Sequence, residues 1–144
     1  MEASDGQAIE KGHIYIAPGE FHLSVAKHGH GYKCRVYSGE RVNRHCPSVE
    51  VLFKSVVKNV GSDVVSVMLT GMGKDGATAM QEIHNQGGVT IAQDEQSSVV
   101  WGMPGAAVAL GCIDKVVPLN KIANELIQVC RSHGKASLKK AITV

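Results

Sequence analysis

The stretch VVSVMLTGMGKDGATAM, at residues 64–80, constrains the fold of this chain most strongly, because an apolar run leads directly into a glycine turn and a helical pattern. Residues 64–69 are β-branched and apolar with one serine, which is typical of a strand buried on both faces of a parallel sheet. Gly71 and Gly73 then permit a sharp turn, and Asp75 stands where a helix would begin. Ligands and catalytic groups collect beyond the carboxyl ends of parallel strands. Asp75 is therefore a candidate functional residue.

Strands and helices alternate along the region 46–132. Apolar residues at helical spacing predict helices at 47–60, from about 75 to 86, within 102–111 and from 119 onward. Apolar runs between them predict strands at 64–69, at 89–93 and around 113–119. Such alternation means right-handed crossovers and parallel strands. We therefore predict an α/β fold with a doubly wound, mostly parallel, Rossmann-like sheet in three layers, of which this chain carries about the C-terminal half.

Residues 1–45 follow a different pattern. The segments HIYIAPG, FHLSVAK and YKCRVYSG are short alternating runs separated by glycine and proline, which predicts an antiparallel meander or a pair of hairpins. We therefore expect one domain at residues 1–132, with a β-hairpin region at 1–45 and an αβαβαβα region at 46–132. The remaining residues, 133–144, are expected to form a flexible tail.

The number of parallel strands raises a difficulty. Three strands make only half of a doubly wound sheet, and the strand at 64–69 is too apolar on both faces for an ordinary edge. We expect this strand to expose a backbone edge that pairs with another copy of the chain. The sequence thus predicts self-association through an exposed sheet edge.

Composition excludes several classes of function. The formal charge of +2, with basic and acidic residues mixed along the chain, gives no electrostatic footprint for nucleic acid. No apolar stretch reaches the roughly 18 residues that span a membrane, and the N-terminus is too polar for a signal peptide. The four cysteines are too widely spaced for a zinc or redox motif. We expect a cytoplasmic protein with free thiols, without a metal or other cofactor, and without membrane insertion or a nucleic-acid partner.

The local pattern alone leaves the role of Asp75 open. Its carboxylate could simply cap its own helix by accepting from the backbone N–H of Ala77 or Thr78. Phosphate binding is disfavoured, because GMGKDG lacks the GxxxxGK[ST] spacing and an acid at the helix start repels an anion. Asp94 and Glu95, after the strand at 89–93, fit either a turn or a second acidic site.

Four segments in this order, GHIYIAPG, VNRHCPSVEVLFKSV, LTGMGKDGATAM and TIAQDEQSSVVWGMPGAAV, closely resemble the catalytic domain of the chemotaxis protein-glutamate methylesterases, the CheB type. The resemblance runs from about Glu2 to Ile127. It implies hydrolysis of glutamate methyl esters on the cytoplasmic domain of methylated chemoreceptors, by a Ser-His-Asp triad. Asp75 falls on the aspartate of the family's GMGxDG motif, which implies that it orients the catalytic histidine. Gly71, Met72 and Gly73 would then help to shape the ester site.

The chain departs from the family pattern in one respect. The family's serine lies in a GxSTGG turn that precedes the region of resemblance, and that turn does not occur in these 144 residues. None of the seven histidines occupies the place of the catalytic histidine. Two hypotheses follow. The chain is the C-terminal part of a methylesterase domain and supplies the triad's aspartate, or it is a catalytically inactive truncated domain that acts as a binding or assembly module.

Overall fold

A computed structural model describes residues 1–133 and 140–143 of the chain. Within these residues the fold has two sheets and four helices. In chain order they are β1 (His22–His28), β2 (Gly31–Tyr37), α1 (Val49–Asn59), β3 (Val64–Met68), α2 (Ala77–Asn85), β4 (Val89–Gln93), α3 (Gly102–Ala109), β5 (Lys115–Val117), α4 (Leu119–His133) and β6 (Lys140–Thr143). None of the helices in the described part of the chain is long and apolar enough to cross a membrane.

The larger sheet has the strand order β5-β4-β3-β6, and all of its neighbouring strands are parallel. Every residue of β3 is buried. Val64 and Met68 face a core shared with α1, α2 and the hairpin, whereas Val65 and Val67 face a second core that contains residues of α4. Helices therefore cover both faces of β3, which explains its nearly uninterrupted apolar sequence. The predicted α/β fold with a mostly parallel sheet is confirmed.

The smaller sheet is a single antiparallel hairpin of β1 and β2. It packs on α1, where the Val25 N–H donates to Ser55 Oγ at 2.8 Å and Asn59 Nδ2 donates to the Val25 carbonyl at 2.9 Å. The segment HIYIAPG, predicted as a further strand, contributes only an isolated bridge between Glu2 and Ile16. Ile14 in that segment is 77% exposed, so its alternating pattern does not mark a buried face. The predicted antiparallel hairpin region is confirmed, but in the described residues it is one hairpin rather than a meander or a pair of hairpins.

β6 lies in the segment that we expected to be a flexible tail. It pairs with β3 in parallel, with Val64 opposite Lys140 and Val67 opposite Thr143. The unpaired N–H and C=O groups of an edge strand are a template for any extended segment within reach, and here the chain supplies one itself. The expectations of a tail at 140–143 and of an exposed edge along Val64–Val67 are therefore corrected. Residues 134–139 and 144 lie outside the described residues.

Candidate active site

Asp75 lies in the turn between β3 and α2 and is only 3% exposed. The N-cap of α2 is Gly76, and that cap has no side-chain hydrogen bond. The simplest alternative from the sequence, a bond from the Ala77 or Thr78 N–H to the Asp75 carboxylate, is therefore not what the structure shows. The carboxylate is turned away from its own helix.

Asp75 caps the neighbouring helix α1 instead. Its Oδ2 accepts from the Val49 N–H at 2.7 Å, and its Oδ1 lies 3.4 Å from the Glu50 nitrogen. Oδ1 also accepts from Ser48 Oγ at 2.8 Å and from Asn43 Nδ2 at 2.9 Å. The positive end of the α1 dipole stabilises the buried negative charge. A helix end and two side chains thus hold this carboxylate in one orientation.

The glycine after Asp75 makes this arrangement possible. Gly76 has φ +86°, a conformation that residues with a Cβ rarely adopt. A Cβ at this position would lie 2.5 Å from Val49 Cγ1, in the first turn of α1. The absence of a side chain therefore lets the start of α1 approach the turn closely enough for the Val49 N–H to reach Asp75.

The start of α3 holds the glycine turn at Gly71–Gly73. The Gly71 N–H donates to the Val100 carbonyl at 3.0 Å, and the Gly71 carbonyl accepts from the Met103 N–H at 2.9 Å. Gly102 is so close that a Cβ there would lie 2.8 Å from the Gly71 oxygen. Met72, in the middle of the turn, is 76% exposed. A fixed backbone therefore presents one apolar side chain to solvent at the carboxyl end of β3.

Gln93 is not one of the candidate site residues predicted from the sequence, yet it organises the same end of the sheet. It is fully buried at the end of β4. Its Oε1 accepts from the Thr70 N–H at 2.8 Å, and its Nε2 donates to the Ser97 carbonyl at 2.8 Å. The Gln93 carbonyl accepts from Trp101 Nε1 at 3.0 Å. The available signal was a polar residue that closes the apolar strand VTIAQ.

Asp94 forms a turn. Its Oδ1 accepts from both the N–H and the hydroxyl of Ser97, and these bonds hold the pKa of the Asp94 carboxyl below its usual range. Glu95 is exposed in the same loop. Of the two interpretations that the sequence left open for this pair, the structure shows the turn.

A cavity of about 320 Å³ opens between the N-terminal ends of α1 and α2. Asn43, Glu50, Lys54, Lys74 and Thr78 contribute its polar lining. It reaches the Asp75 network through Asn43 and Glu50. Within the described residues, no cluster of three or more His, Cys, Asp or Glu side chains could hold a metal ion.

A parallel sheet covered by helices on both faces, with a buried carboxylate beyond the carboxyl end of β3, defines a doubly wound α/β domain with a site at its strand ends. Residues 1–126 match the family model described as CheB methylesterase. The chain therefore belongs to the CheB methylesterase family.

Relatives and a solved structure agree with this assignment. The chain is 57% identical over 127 residues to a protein-glutamate methylesterase/protein-glutamine glutaminase of Saccharophagus degradans, which covers 88% of this chain and 36% of that protein. It is 56% identical over 122 residues to one from Hahella chejuensis, covering 85% of this chain and 34% of that protein. The crystal structure of the Thermotoga maritima CheB methylesterase catalytic domain superposes with a TM-score of 0.85 at 34% identity, covering 89% of this chain and 68% of that domain. The chain thus spans about a third of the length of these curated relatives.

Proposed function

We propose that this chain supplies the orienting acid of a protein-glutamate methylesterase, and that this acid is Asp75. The observation that carries the proposal is the buried Asp75 carboxylate, held by four donors beyond the carboxyl end of β3. Family membership and the activity for which the relatives are named supply the reaction. The substrate would be a glutamate methyl ester on the cytoplasmic domain of a chemoreceptor, and the products a carboxylate and methanol.

The geometry suits an orienting acid. Oδ2 has the Val49 N–H as its one hydrogen-bond donor within the described residues, so a second lone pair is free to accept an imidazole N–H. In the proposed reaction a serine oxygen attacks the ester carbonyl while a histidine takes the serine proton. The histidine then returns the proton to the departing methoxide, and water releases the acyl group by the same steps. Asp75 fixes the tautomer of the histidine and stabilises the imidazolium.

The serine and the histidine would come from outside these 144 residues, where the family carries its GxSTGG turn. The turn at Gly71–Gly73 would border the ester site, because its backbone is fixed against α3 beside the Asp75 turn. The exposed Met72 side chain would contact the receptor segment that carries the ester. Ester hydrolysis by a serine, a histidine and Asp75 would need no cofactor.

The test uses a complete enzyme, in which this chain replaces the 127 matched residues of the Saccharophagus degradans relative. In this grafted enzyme, Asp75→Asn places an amide N–H₂ where Asp75 offers only acceptors and favours the wrong histidine tautomer. We expect turnover on methylated receptor to fall by a factor on the order of 10⁴, as in a comparable triad. Asp94→Asn is the matched control, since Asp94 is a turn aspartate of the same sheet edge. Near-normal turnover of Asp75→Asn, measured per folded molecule, would reduce Asp75 to a structural cap.

A second candidate function is that of an inactive binding or assembly module, favoured by a β3 edge that pairs with an extended segment, as it does with β6. On this hypothesis the isolated chain has no esterase activity, because an orienting acid without nucleophile and base retains none of the covalent route. Self-association would proceed through β3 once β6 is displaced from its edge. Labelling of the isolated chain by a serine-directed inhibitor, accompanied by methanol release from methylated receptor, would exclude this candidate.

A further inference from the structure

We propose that Asn43 and Ser48 are positioning residues, which fix the orientation of the Asp75 carboxylate so that Oδ2 faces the catalytic histidine. This inference rests on the proposed function. On this inference, Asn43 and Ser48, which belong to a different segment of the chain, prevent the Asp75 carboxylate from rotating.

Ser48 uses its hydroxyl in an unusual way for a helix cap. It is the N-cap of α1, with an extended backbone at φ −112° and ψ 133°, yet its side chain makes no capping bond to α1. The hydroxyl donates to Asp75 Oδ1 at 2.8 Å instead, and both side chains are buried. A serine at this position could cap α1 without help from another residue. The hydroxyl therefore holds the carboxylate rather than capping the helix.

The backbone of Ser48 is fixed as well. Its N–H donates to Nδ1 of His22 at 3.3 Å, and Nε2 of His22 lies 2.8 Å from the Glu40 carbonyl oxygen. His22 is 2% exposed. The imidazole thus links Ser48 to the segment after the hairpin, so the hydroxyl reaches Asp75 from a rigid support.

Asn43 approaches the same oxygen from a separate turn. Reciprocal backbone bonds between Val42 and His45, at 3.0 and 2.9 Å, close this turn. Asn43 has φ +51°, a conformation that asparagine tolerates better than most residues. Its Nδ2 donates to Asp75 Oδ1 at 2.9 Å.

The two oxygens of the Asp75 carboxylate have different hydrogen-bond donors. Oδ1 accepts from Asn43 Nδ2 and Ser48 Oγ at 2.9 and 2.8 Å, and the Glu50 N–H is a longer third donor to it at 3.4 Å. Oδ2 receives the Val49 N–H and keeps one lone pair for a further donor. Rotation of the carboxylate would break the Asn43 and Ser48 bonds at once. The histidine therefore meets a single, preorganised acceptor atom.

The test uses the grafted enzyme with Ser48→Ala and Asn43→Gly, separately and combined. Glycine keeps the positive φ of position 43 while it removes the amide. We expect kcat to fall about 10-fold for each single variant and on the order of 10² for the pair, with KM little changed, because the histidine is misplaced. We also expect the limb of the pH profile that reports the histidine to move to lower pH, since a misoriented carboxylate stabilises the imidazolium less. Ser48→Thr keeps the hydroxyl and should restore kcat.

Ser55→Ala is the matched control, because Ser55 lies on the same helix and makes two hydrogen bonds, to Val25 and Leu52, away from Asp75. It should lower the urea midpoint without changing kcat per folded molecule or the pH profile. If Ser48→Ala and Asn43→Gly behave like Ser55→Ala while Asp75→Asn is inactive, this inference is overturned and the proposed function stands. If Asp75→Asn itself is near normal, both fail.

Discussion

Asp75 and Glu50 cap each other's helices. Asp75, just before α2, accepts from the Val49 N–H at the start of α1, while Glu50, in the first turn of α1, accepts from the Ala79 N–H in the first turn of α2 at 3.3 Å. Both residues are buried. Two helix N-termini thus face two carboxylates, and each positive dipole end stabilises the acid that the other helix contributes. The exchange ties α1 to α2 at the edge where the site lies.

Removal of the Glu50 carboxylate should therefore lower the free energy of unfolding more than removal of a surface carboxylate normally does. Glu50→Ala leaves the Ala79 N–H without its acceptor, and we expect the free energy of unfolding to fall by about 1–2 kcal/mol in urea titration. Lys54→Ala is the matched control, because it removes the partly exposed ion pair to Glu50 at 3.5 Å but keeps the cap. Its cost should stay within about 0.5 kcal/mol. Equal losses in the two variants would contradict the reciprocal cap.

The sequence predicted the alternation of strands and helices and the burial of β3, because both depend on local periodicity. It also singled out Asp75, which lies two residues before α2. It did not predict the partners of Asp75, since Ser48 is 27 residues away and Asn43 is 32 away. Helix periodicity relates residues within one or two turns, so a cap delivered from another segment leaves no local pattern. A motif resemblance could mark Asp75 but not the groups that hold it.

β6 was missed for a similar reason. Its four residues follow a polar segment and are too few to give an alternating pattern. What makes them a strand is the open edge of β3, which lies more than 70 residues earlier in the chain. Tertiary context, rather than local preference, decides the conformation of such a short segment.

Gly76→Ala should destabilise the chain through two separable effects. The residue must adopt φ +86°, and its Cβ would lie 2.5 Å from Val49 Cγ1. Gly61→Ala isolates the first effect, since Gly61 has φ +75° and a Cβ there would meet no atom within 4 Å. We expect Gly61→Ala to lower the free energy of unfolding by about 1 kcal/mol and Gly76→Ala to lower it by a further 1–3 kcal/mol, as measured by urea unfolding. Equal losses of unfolding free energy in the two variants would show that α1 can shift away from the turn without cost.

The four cysteines should separate into two reactivity classes. Cys34 and Cys112 are 1% exposed, and burial raises the pKa of both thiols above the ordinary value of 9.0. The folded protein favours the neutral thiols. The stability that they contribute is therefore fully present below the ordinary thiol pKa of 9.0 and is lost as the pH rises from 9.0 through the raised pKa of the folded state. Cys46 and Cys130 are partly exposed. With iodoacetamide at pH 8, mass spectrometry should find Cys46 and Cys130 modified first, and Cys34 and Cys112 modified only in denaturant. Early modification of Cys34 or Cys112 would contradict the packing of the core.

Removal of the segment 134–144 should open the edge of β3 and cause the chain to associate. The truncated protein would expose the backbone groups that β6 now pairs along Val64–Val67, and an open apolar edge pairs readily with another chain. Sedimentation velocity across a dilution series should show the intact chain as a monomer, whereas the truncated chain should shift toward a dimer at micromolar concentration. Ala141→Pro and Ile142→Pro are point variants that keep the chain length. Successive N–H groups of a strand point to opposite sides, so one of the two variants removes a donor to β3 and should shift the equilibrium in the same direction. A truncated chain that stays monomeric at these concentrations would show that β3 needs no strand on this side.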